Sequence, residues 1–451
     1  MFSKILIANR GEIALRVIRT CKKMGIETVA VYSEADADSL FVREADEAYC
    51  IGKPPVHLSY LNVDGIIAAA KTSGAEAIHP GYGLLSENAG FAARCKVEGI
   101  VFIGPEPEII ASMGSKIEAR KTMKEAGVPI IEGINTSLEN EEEAKLAAKR
   151  IGYPLMLKAS AGGGGIGMQL VRSEEELVNA FAGNQKRAQS FFGNGAMFLE
   201  KYISEPHHIE VQILADSYGN IVPLFERECS IQRRNQKVVE EAPSPFISME
   251  TREKMLSAAV QAARHIGYSN AGTIEFLVDK EQNFYFLEMN TRLQVEHPVT
   301  EEITGLDLVE EQIKVAAGNP LTLTRGDVHR KGHAIEARIY AEDPKTFLPS
   351  PGKITNFELP KGEGIRNECA IEAGTQVTPF YDPMIAKLIA WGETRQEACS
   401  RLKAALEEYK IDGIKTNIPM LIKTVSHQQF LAGKINTNFV NEYYLPLLPS
   451  L

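Results

Sequence analysis

The chain has 451 residues and a formal net charge of −10, with 44% hydrophobic and 24% charged residues. This length allows two or three domains with a sizeable core, and the negative charge argues against overall attraction to nucleic acid. Six cysteines lie far apart with no CxxC pair, which argues against a disulfide framework or a structural zinc site. The sequence contains no run of about 18 apolar residues, so we expect no membrane span. We expect a cytoplasmic enzyme or binding protein that holds any anionic ligand with a local cluster of basic side chains.

Residues 1–113 alternate short apolar runs with helical patterns. The candidate strands are KILIA (4–8), ETVAVY (27–32), EAIHPG (76–81) and IVFIG (100–104). The segment LNVDGIIAAAKTSG reads as a helix that ends at Gly74. Strands that alternate with helices predict an N-terminal α/β domain built on a parallel sheet. The turn ANRGEIA after the first strand contains a single glycine, so the dinucleotide-binding fingerprint is absent.

Residues 114–203 contain a glycine run, Gly162–Gly165, between the strand-like segments PLMLKAS and IGMQLV. Each glycine costs about 0.5–1 kcal/mol relative to alanine, so such a run is favoured where the backbone must approach a ligand closely. A loop of bare N–H groups binds phosphate well, and Lys158 adds a cation at its base. We expect a mobile lid over a nucleotide polyphosphate, with a flexible surface hairpin as the alternative.

Residues 204–451 carry most of the polar chemistry. Lys237 ends the basic segment ERECSIQRRNQK, which on composition alone could also be a solvated loop. His208 begins a strand-like segment, where a lone histidine is more often structural. Glu336 and Arg338 alternate along another candidate strand, and TRQEACSRLKAALEEY reads as a helix near the end of the chain.

Two segments, GTIEFLV (272–278) and NFYFLEMN (283–290), predict a hairpin with two acidic residues on one face. If Asp279 pairs with Phe284, Glu275 lies opposite Glu288. Like charges that face each other across strands are destabilising, but a bound divalent cation reverses that effect. The alternative is an exposed strand face on which both carboxylates are solvated.

The same strand parity continues beyond Glu288 with a row of polar side chains. These are Asn290, Arg292, Gln294 and Glu296. The guanidinium of Arg292 suits a small oxyanion, and the carboxylate of Glu296 could act as a base. A surface ion pair between the two is the alternative, and the position of the row after a predicted metal site favours a cleft.

Six segments together identify a resemblance to biotin carboxylase, the ATP-grasp component of biotin-dependent carboxylases. They are KILIANRGEIALRVIRT, HPGYGLLSEN, KASAGGGGIGM, CSIQRRNQK, FLEMNTRLQVEHPVTE and EARIYAEDP, and the resemblance runs from residue 2 to about residue 420. It implies an ATP-grasp fold of mixed α/β and α+β class. The N-terminal parallel-sheet domain would span 1–113, the ATP-grasp linker with its mobile glycine-rich lid 114–203, and the C-terminal mixed domain 204–451.

The resemblance also implies roles in binding ATP and magnesium or manganese. Phosphate or ribose contacts would come from Lys116, Lys158, Gly164, Gly165, His208 and Asn235. Glu200 and Lys201 would lie at the hinge that recognises adenine. Glu275 and Glu288 would hold the metal, with Asn290 beside them. Two departures from the family pattern, Ile166 and Asn235, concern the lid and the ribose rather than the metal.

For the remaining substrates, the resemblance implies a bicarbonate site and a biotin site. Bicarbonate would be bound by Lys237, Arg292, Gln294 and Val295. Glu296 would deprotonate it, Arg338 would stabilise the biotin enolate, and Tyr82 would border the biotin site.

The chain has no Ala-Met-Lys-Met attachment motif, so we expect biotin on a separate carrier protein and carboxyl transfer by other subunits. Relatives often form homodimers. Acetyl-CoA carboxylation is the expected context, and the alternatives are a subunit of a pyruvate or other acyl-CoA carboxylase, another ATP-grasp carboxylate–amine ligase, or a nucleotide-binding protein without turnover.

Overall fold

A computed structural model describes residues 1–161 and 167–447. The predicted lid, Gly162–Gly165, therefore lies outside the described residues, together with Ile166. None of the described helices combines the length and the apolar character needed to cross a membrane. The division of the chain at residues 113 and 203 stays a prediction.

The N-terminal part contains the predicted parallel sheet. Its strands are β1 (Lys4–Ile7), β2 (Glu27–Ser33), β3 (Glu47–Gly52), β4 (Ala77–His79) and β5 (Val101–Phe102). Its helices are α1 (Gly11–Lys23), α2 (Leu40–Glu44), α3 (Val63–Ser73), α4 (Ala89–Val97) and α5 (Pro107–Gly114). The strands pair in parallel in the order β3-β2-β1-β4-β5. Strand β3 was not predicted, because it lies at the sheet edge and its sequence EAYCIG has no apolar run.

Helix α3 shows how local sequence signals define an element. The Asn62 side chain accepts a hydrogen bond from the Gly65 N–H at 3.1 Å and caps the start of the helix. At the other end, Gly74 adopts a left-handed conformation with φ +72°, so the predicted stop at this glycine is correct.

The middle of the chain forms a three-stranded antiparallel sheet with helices. Its elements are α6 (Lys116–Glu125), α7 (Glu141–Ile151), β6 (Leu155–Ala159), β7 (Gln169–Val171), α8 (Glu174–Phe192) and β8 (Met197–Lys201). The strand order is β7-β6-β8, so the two segments that flank the glycine run pair as expected.

The remaining chain is built around a large antiparallel sheet. Its strands and those of two small sheets are β9 (His207–Ala215), β10 (Ile221–Arg233), β11 (Gln236–Ala242), β12 (Asn270–Val278), β13 (Phe284–Asn290), β14 (His333–Tyr340), β15 (Gly352–Lys353), β16 (Asn356–Glu358), β17 (Ile365–Cys369), β18 (Gln376–Val377), β19 (Met384–Gly392) and β20 (Lys410–Asp412). The helices are α9 (Met249–His265), α10 (His297–Thr304), α11 (Leu308–Ala316), α12 (Arg395–Glu408), α13 (Ile418–Ser426), α14 (Gln428–Leu431) and α15 (Phe439–Tyr443). In the described chain the large sheet has the order β13-β12-β9-β10-β11-β14-β19-β17.

Different helices pack against the two ends of this sheet. At the β12–β13 end, Ile274, Phe276 and Phe286 pack with α9 in one apolar core. At the β14–β19 end, α10 packs over Ala334 and Ile389. The opposite face of the β12–β13 hairpin is left to line a cleft.

Candidate functional site

A cavity of about 620 Å³ lies between residues of the three-stranded sheet and of the large sheet. Most of the predicted site residues line it. They are Lys116, Lys158, Glu200, Lys201, His208, Asn235, Lys237, Glu275, Glu288, Asn290, Arg292, Gln294, Val295, Glu296 and Arg338. Gly164 and Gly165 lie outside the described residues, and Tyr82 is not among the described residues that line the cavity.

The hairpin of β12 and β13 carries the predicted metal-binding glutamates, but its turn differs from the expectation. Val278 pairs with Phe284, so the expected pairing of Asp279 with Phe284 is wrong by one residue. The Asp279 N–H instead donates to the carbonyl of Asn283 at 2.9 Å, which closes a shorter turn.

A β-bulge restores the expected pairing of the glutamates. Phe276 pairs with Phe286, whereas Glu275 pairs with Glu288, so Leu287 is an extra residue on β13. Because of this extra residue, Phe286 enters the apolar core while Glu288, two positions later, lines the cavity. The bulge explains how an apolar strand can lead directly into a polar row.

Lys237 lies at the centre of the acidic side chains. Its ammonium is 2.6 Å from Oε2 of Glu210, 2.9 Å from Oε1 of Glu275 and 2.6 Å from Oε1 of Glu296. Burial lowers the pKa of Lys237, but these three carboxylates outweigh burial and raise that pKa well above its ordinary value. The lysine is therefore a fixed cation rather than a base.

Glu296 is held between two cations. Besides Lys237, Nη2 of Arg338 lies 2.9 Å from Oε2 of Glu296, and the residue is 1% exposed. Burial raises the pKa of Glu296, but Lys237 and Arg338 have the larger combined effect and hold that pKa below its ordinary value. The group is an ionised carboxylate, and an anion that drew on the same two cations would make it more basic.

Arg292 is oriented by a residue that the sequence did not indicate. Its Nε donates to Oε2 of Glu87 at 2.9 Å, and its Nη2 donates to Oδ1 of Asn290 at 2.7 Å. Its side chain is 18% exposed and lines the cavity. Burial lowers the pKa of Arg292, but Glu87 raises it, and the net change is upward. The predicted row therefore faces a cleft rather than bulk solvent.

The donors near the hairpin fit a hard divalent cation. Glu275 and Glu288 are opposite each other and line the same cavity as Asn290, whose buried Nδ2 has no hydrogen-bond partner among the described residues. Two carboxylates with an amide oxygen are ligands that magnesium accepts together with phosphate and water. Nε2 of His208 lies 3.1 Å from Oε2 of Glu275, so this histidine adds a nitrogen next to the same carboxylate.

The cavity also combines basic side chains with an apolar wall. The ammonium of Lys116 pairs with Glu288, and that of Lys158 pairs with Glu200. Lys201 donates from its ammonium to the carbonyl of Gly152 at 2.8 Å. The apolar wall consists of Ile131, Met156, Leu170, Leu277 and Leu287. This arrangement suits a flat base with its phosphates directed toward the two lysines.

The segment that contains Lys237 is a hairpin of buried strands rather than a solvated loop. Arg227 within it is fully buried and donates from Nε to Oε1 of Glu210 at 2.6 Å. Arg234 and Asn235 form its exposed two-residue tip, with φ values of 51° and 63°. Asparagine tolerates this left-handed conformation. The conformation of the turn is therefore a sufficient reason for an asparagine at position 235, without a ribose contact.

Val295 and Tyr82 are connected through Lys387. The Lys387 ammonium donates to the Val295 carbonyl at 2.7 Å and lies 5.8 Å from the centre of the Tyr82 ring. Tyr82 thus lies one side chain away from the cavity rather than on its surface.

Sequence reasoning missed several residues that orient the site. Glu210 could have been found, because His208, Glu210 and Gln212 share one strand parity. Glu87 has no comparable signal, because it meets Arg292 only in the folded chain, 205 positions away in sequence.

Three family models match consecutive parts of the chain. They are the biotin carboxylase N-terminal domain over residues 1–110, the ATP-binding domain of the carbamoyl-phosphate synthase L chain over 115–324, and the biotin carboxylase C-terminal domain over 336–442.

Three similar proteins match this chain over most of their own length. Biotin carboxylase 2 of Bacillus subtilis is 62% identical over 98% of this chain and 100% of its own. One of the subunits of pyruvate carboxylase from Methanothermobacter thermautotrophicus is 54% identical over 98% of this chain and 90% of its own. The biotin carboxylase domain dimer of Hydrogenobacter thermophilus 2-oxoglutarate carboxylase, solved with MgADP, ADP and bicarbonate, superposes with a TM-score of 0.96 at 52% identity and covers 98% of both chains.

Proposed function

The chain belongs to the biotin carboxylase family of ATP-dependent ligases, and we propose that it carboxylates biotin on a separate biotin carboxyl carrier protein. Bicarbonate would be the carboxyl source, and carboxyphosphate would be the intermediate. The reaction would be the first half-reaction of acetyl-CoA carboxylase, in fatty acid synthesis. The observation that carries the proposal is the convergence of Lys237 and Arg338 on Glu296, in the cavity that Arg292 also lines.

The first step would activate bicarbonate, whose own leaving group would be hydroxide. Lys237 and Arg292 would hold the bicarbonate anion, and sharing Lys237 with this anion would raise the pKa of Glu296. Glu296 would take the bicarbonate proton while a bicarbonate oxygen forms a bond to the γ-phosphorus and the bond from that phosphorus to ADP breaks. A magnesium or manganese ion held by Glu275 and Glu288, beside Asn290, would offset charge on the phosphates during the transfer.

The second step would transfer the carboxyl group to biotin. The carbon–oxygen bond of carboxyphosphate breaks to give CO₂ and phosphate, the phosphate takes the N1 proton of biotin, and the nitrogen attacks CO₂. Arg338 lines the cavity and would donate to the ureido oxygen as negative charge develops there. Lys116 and Lys158, freed from their acidic partners, would bind the nucleotide phosphates.

The partners and the final acceptor belong to the same proposal. Relatives with this sequence pattern include a 2-oxoglutarate carboxylase domain and one of the subunits of a pyruvate carboxylase, so the alternative is that the chain serves a carboxylase with another acceptor. The relative solved as a domain dimer supports a homodimer. Purified carboxyltransferase subunits with acetyl-CoA or pyruvate would distinguish these acceptors.

The test is ADP release with bicarbonate, biotin and magnesium each omitted in turn. We expect release to require magnesium and bicarbonate, and to rise when free biotin or a biotinylated carrier is added. Glu296→Gln should remove this activity, whereas Glu408→Gln, at the exposed end of α12, serves as the matched control and should retain it. ADP release that ignores biotin but requires an amine would instead establish a carboxylate–amine ligase.

A further inference from the structure

Two fully buried glutamates face each other beside the cavity. Glu240 of β11 and Glu336 of β14 are cross-strand partners, and both are 0% exposed. Facing Cβ atoms in antiparallel strands are about 4.5–5.5 Å apart. Neither carboxyl oxygen of Glu336 accepts a hydrogen bond from the residues that the structure describes. Two ionised carboxylates in such a position repel each other without solvent screening, so such pairs retain a proton.

Glu240 is in direct contact with a residue of the proposed site. Its Oε1 lies 2.5 Å from Nε of Arg338, an ion contact that lacks hydrogen-bond geometry. Nη2 of the same guanidinium lies 2.9 Å from Oε2 of Glu296. Arg338 is thus held from two sides, by Glu240 at its base and by Glu296 at its tip, and its side chain is 11% exposed.

The other charged groups around the pair leave it short of cations. Strand β19 contributes Lys387, which faces Arg338 across the sheet and already donates to the Val295 carbonyl. Helix α1 contributes Glu12, whose Oε1 lies 3.4 Å from the Lys387 ammonium. Other titratable groups on packed or neighbouring elements include His297 and Glu301 of α10, Arg227, Glu228 and Cys229 of β10, Arg366 and Glu368 of β17, Arg16 of α1, Lys237 of β11 and Arg395 of α12.

The expected ionisation agrees with this charge count. Burial raises the pKa of Glu240 to about 7, against the opposing effect of Arg338. Burial likewise raises the pKa of Glu336 well above its ordinary value, and Lys387 opposes that change. The negative charge of Glu240 adds to the raised pKa of Glu336, so ionisation of Glu240 opposes ionisation of its cross-strand partner.

We propose, building on the proposed function, that Glu240 is a positioning residue for Arg338 and that it forms with Glu336 a buried carboxyl pair holding one proton. The single negative charge of the pair fixes the Nε edge of Arg338, and its other nitrogens remain directed toward Glu296 and the cavity. A second negative charge in the pair would draw the guanidinium toward the sheet. Glu240 itself touches no reacting atom.

The test compares Glu240→Gln and Glu336→Gln with the surface variant Glu408→Gln. Infrared difference spectroscopy detects the carbonyl stretch of protonated carboxyl groups without substrate. We expect both buried variants to lose one such band at pH 7, and the surface variant to retain it. If the spectra of Glu240→Gln and Glu336→Gln both keep every protonated-carboxyl band of the wild type, the pair holds no proton and the inference is wrong.

The kinetic test separates positioning from a purely structural role. Glu240→Gln should lower kcat/KM for biotin by about 10- to 100-fold, as expected for loss of one charged contact. The bicarbonate-dependent ADP release without biotin should stay within about threefold of wild type. Glu336→Gln should keep turnover at pH 7 and lose the fall at alkaline pH that the second ionisation of the pair causes in wild type. Unchanged biotin kinetics in Glu240→Gln, or an unchanged alkaline fall in Glu336→Gln, would refute the inference.

These outcomes also separate the inference from the proposed function. If the wild-type chain shows no biotin-dependent ADP release, the proposed function fails, while the infrared comparison still decides whether the pair holds a proton. Glu240→Gln removes the charge that faces the buried Arg338, so we expect it to unfold below the wild-type temperature. Glu336→Gln replaces a carboxyl group that has no hydrogen-bond partner among the described residues, so we expect it to unfold near the wild-type temperature.

Discussion

Replacing Lys237 with methionine should remove a cation shared by three buried carboxylates. Glu210 keeps Arg227 and Glu296 keeps Arg338, so Glu275 loses its strongest partner. Removing one member of a buried ion pair costs about 3–5 kcal/mol, and because the two arginines remain, the expected loss is about 3 kcal/mol. Methionine has a similar volume, so little of this loss comes from packing.

The effect should depend on pH in a defined direction. Burial raises the pKa of Glu275 and of Glu296, but Lys237 contributes most to holding both below their ordinary value. Such groups add stability above the unfolded pKa of about 4.3, and this stability is lost as the pH falls below it. In Lys237→Met these folded pKa values rise, so the difference in melting temperature from wild type should be largest near pH 7.5 and shrink toward pH 4.

Thermal unfolding with and without magnesium is the assay, with Lys280→Met at an exposed position as the matched control. We expect Lys237→Met to have a lower melting temperature than wild type and to lose bicarbonate-dependent ADP release. Magnesium should raise its melting temperature more than that of wild type, because a divalent cation can replace the missing charge. A variant with wild-type melting temperature at pH 7.5 and no added response to magnesium would refute the assignment of Lys237 as the shared counter-charge.

Arg292→Ala should abolish biotin carboxylation while nucleotide binding persists, because in the proposed mechanism its guanidinium would hold bicarbonate; unchanged carboxylation would remove it from the mechanism. Glu87→Gln should lower carboxylation by about 3- to 10-fold by loosening Arg292, an effect limited by solvent, and wild-type rates would show that Glu87 does not orient it. Glu288→Gln should raise the magnesium concentration for half-maximal turnover about tenfold or more; a normal magnesium requirement would exclude it as a ligand. Burial raises the pKa of Glu12 to about 7, so its contribution to stability is present below about pH 4.3 and lost as the pH rises through 7; Glu12→Gln should flatten the fall in melting temperature from pH 5 to 8, and an unchanged slope would contradict this.

The β12–β13 hairpin shows what strand alternation can and cannot predict. Alternation identified the polar row from Glu288 to Glu296 and the pairing of Glu275 with Glu288, and the structure has this pairing and brings the row to the cavity. The strand β13 ends at Asn290, however, so the continuation of strand alternation to Arg292, Gln294 and Glu296 is wrong, and these three residues reach the cavity from the segment between β13 and α10. It could not predict the bulge at Leu287, because a bulge depends on how both faces pack. The correct pairing of the glutamates thus arose from a turn that was wrong by one residue and a bulge that compensated for it.

Long-range partners were beyond the sequence for a related reason. The contacts of Arg292 with Glu87 and of Arg338 with Glu240 join residues that no local period relates. Composition also left the segment around Lys237 open as a solvated loop, although its strands are buried. Local patterns predict which face a side chain occupies, and only the assembled sheet determines the charge that it meets.

The ion pairs of the cavity link the binding of its ligands. Lys116 pairs with Glu288 and Lys158 with Glu200, while Lys237 is shared among carboxylates that include Glu275. If Glu275 and Glu288 bind a divalent cation, as we propose, Lys116 loses its acidic partner and Lys237 keeps only Glu210 and Glu296. The site is poorly solvated, and an unpaired ammonium is costly there. The phosphates of a nucleotide would then give Lys116 a new partner, and bicarbonate would give one to Lys237. Metal, nucleotide and bicarbonate should therefore bind cooperatively, each one replacing a charge that another has displaced, even though the chain as a whole is anionic.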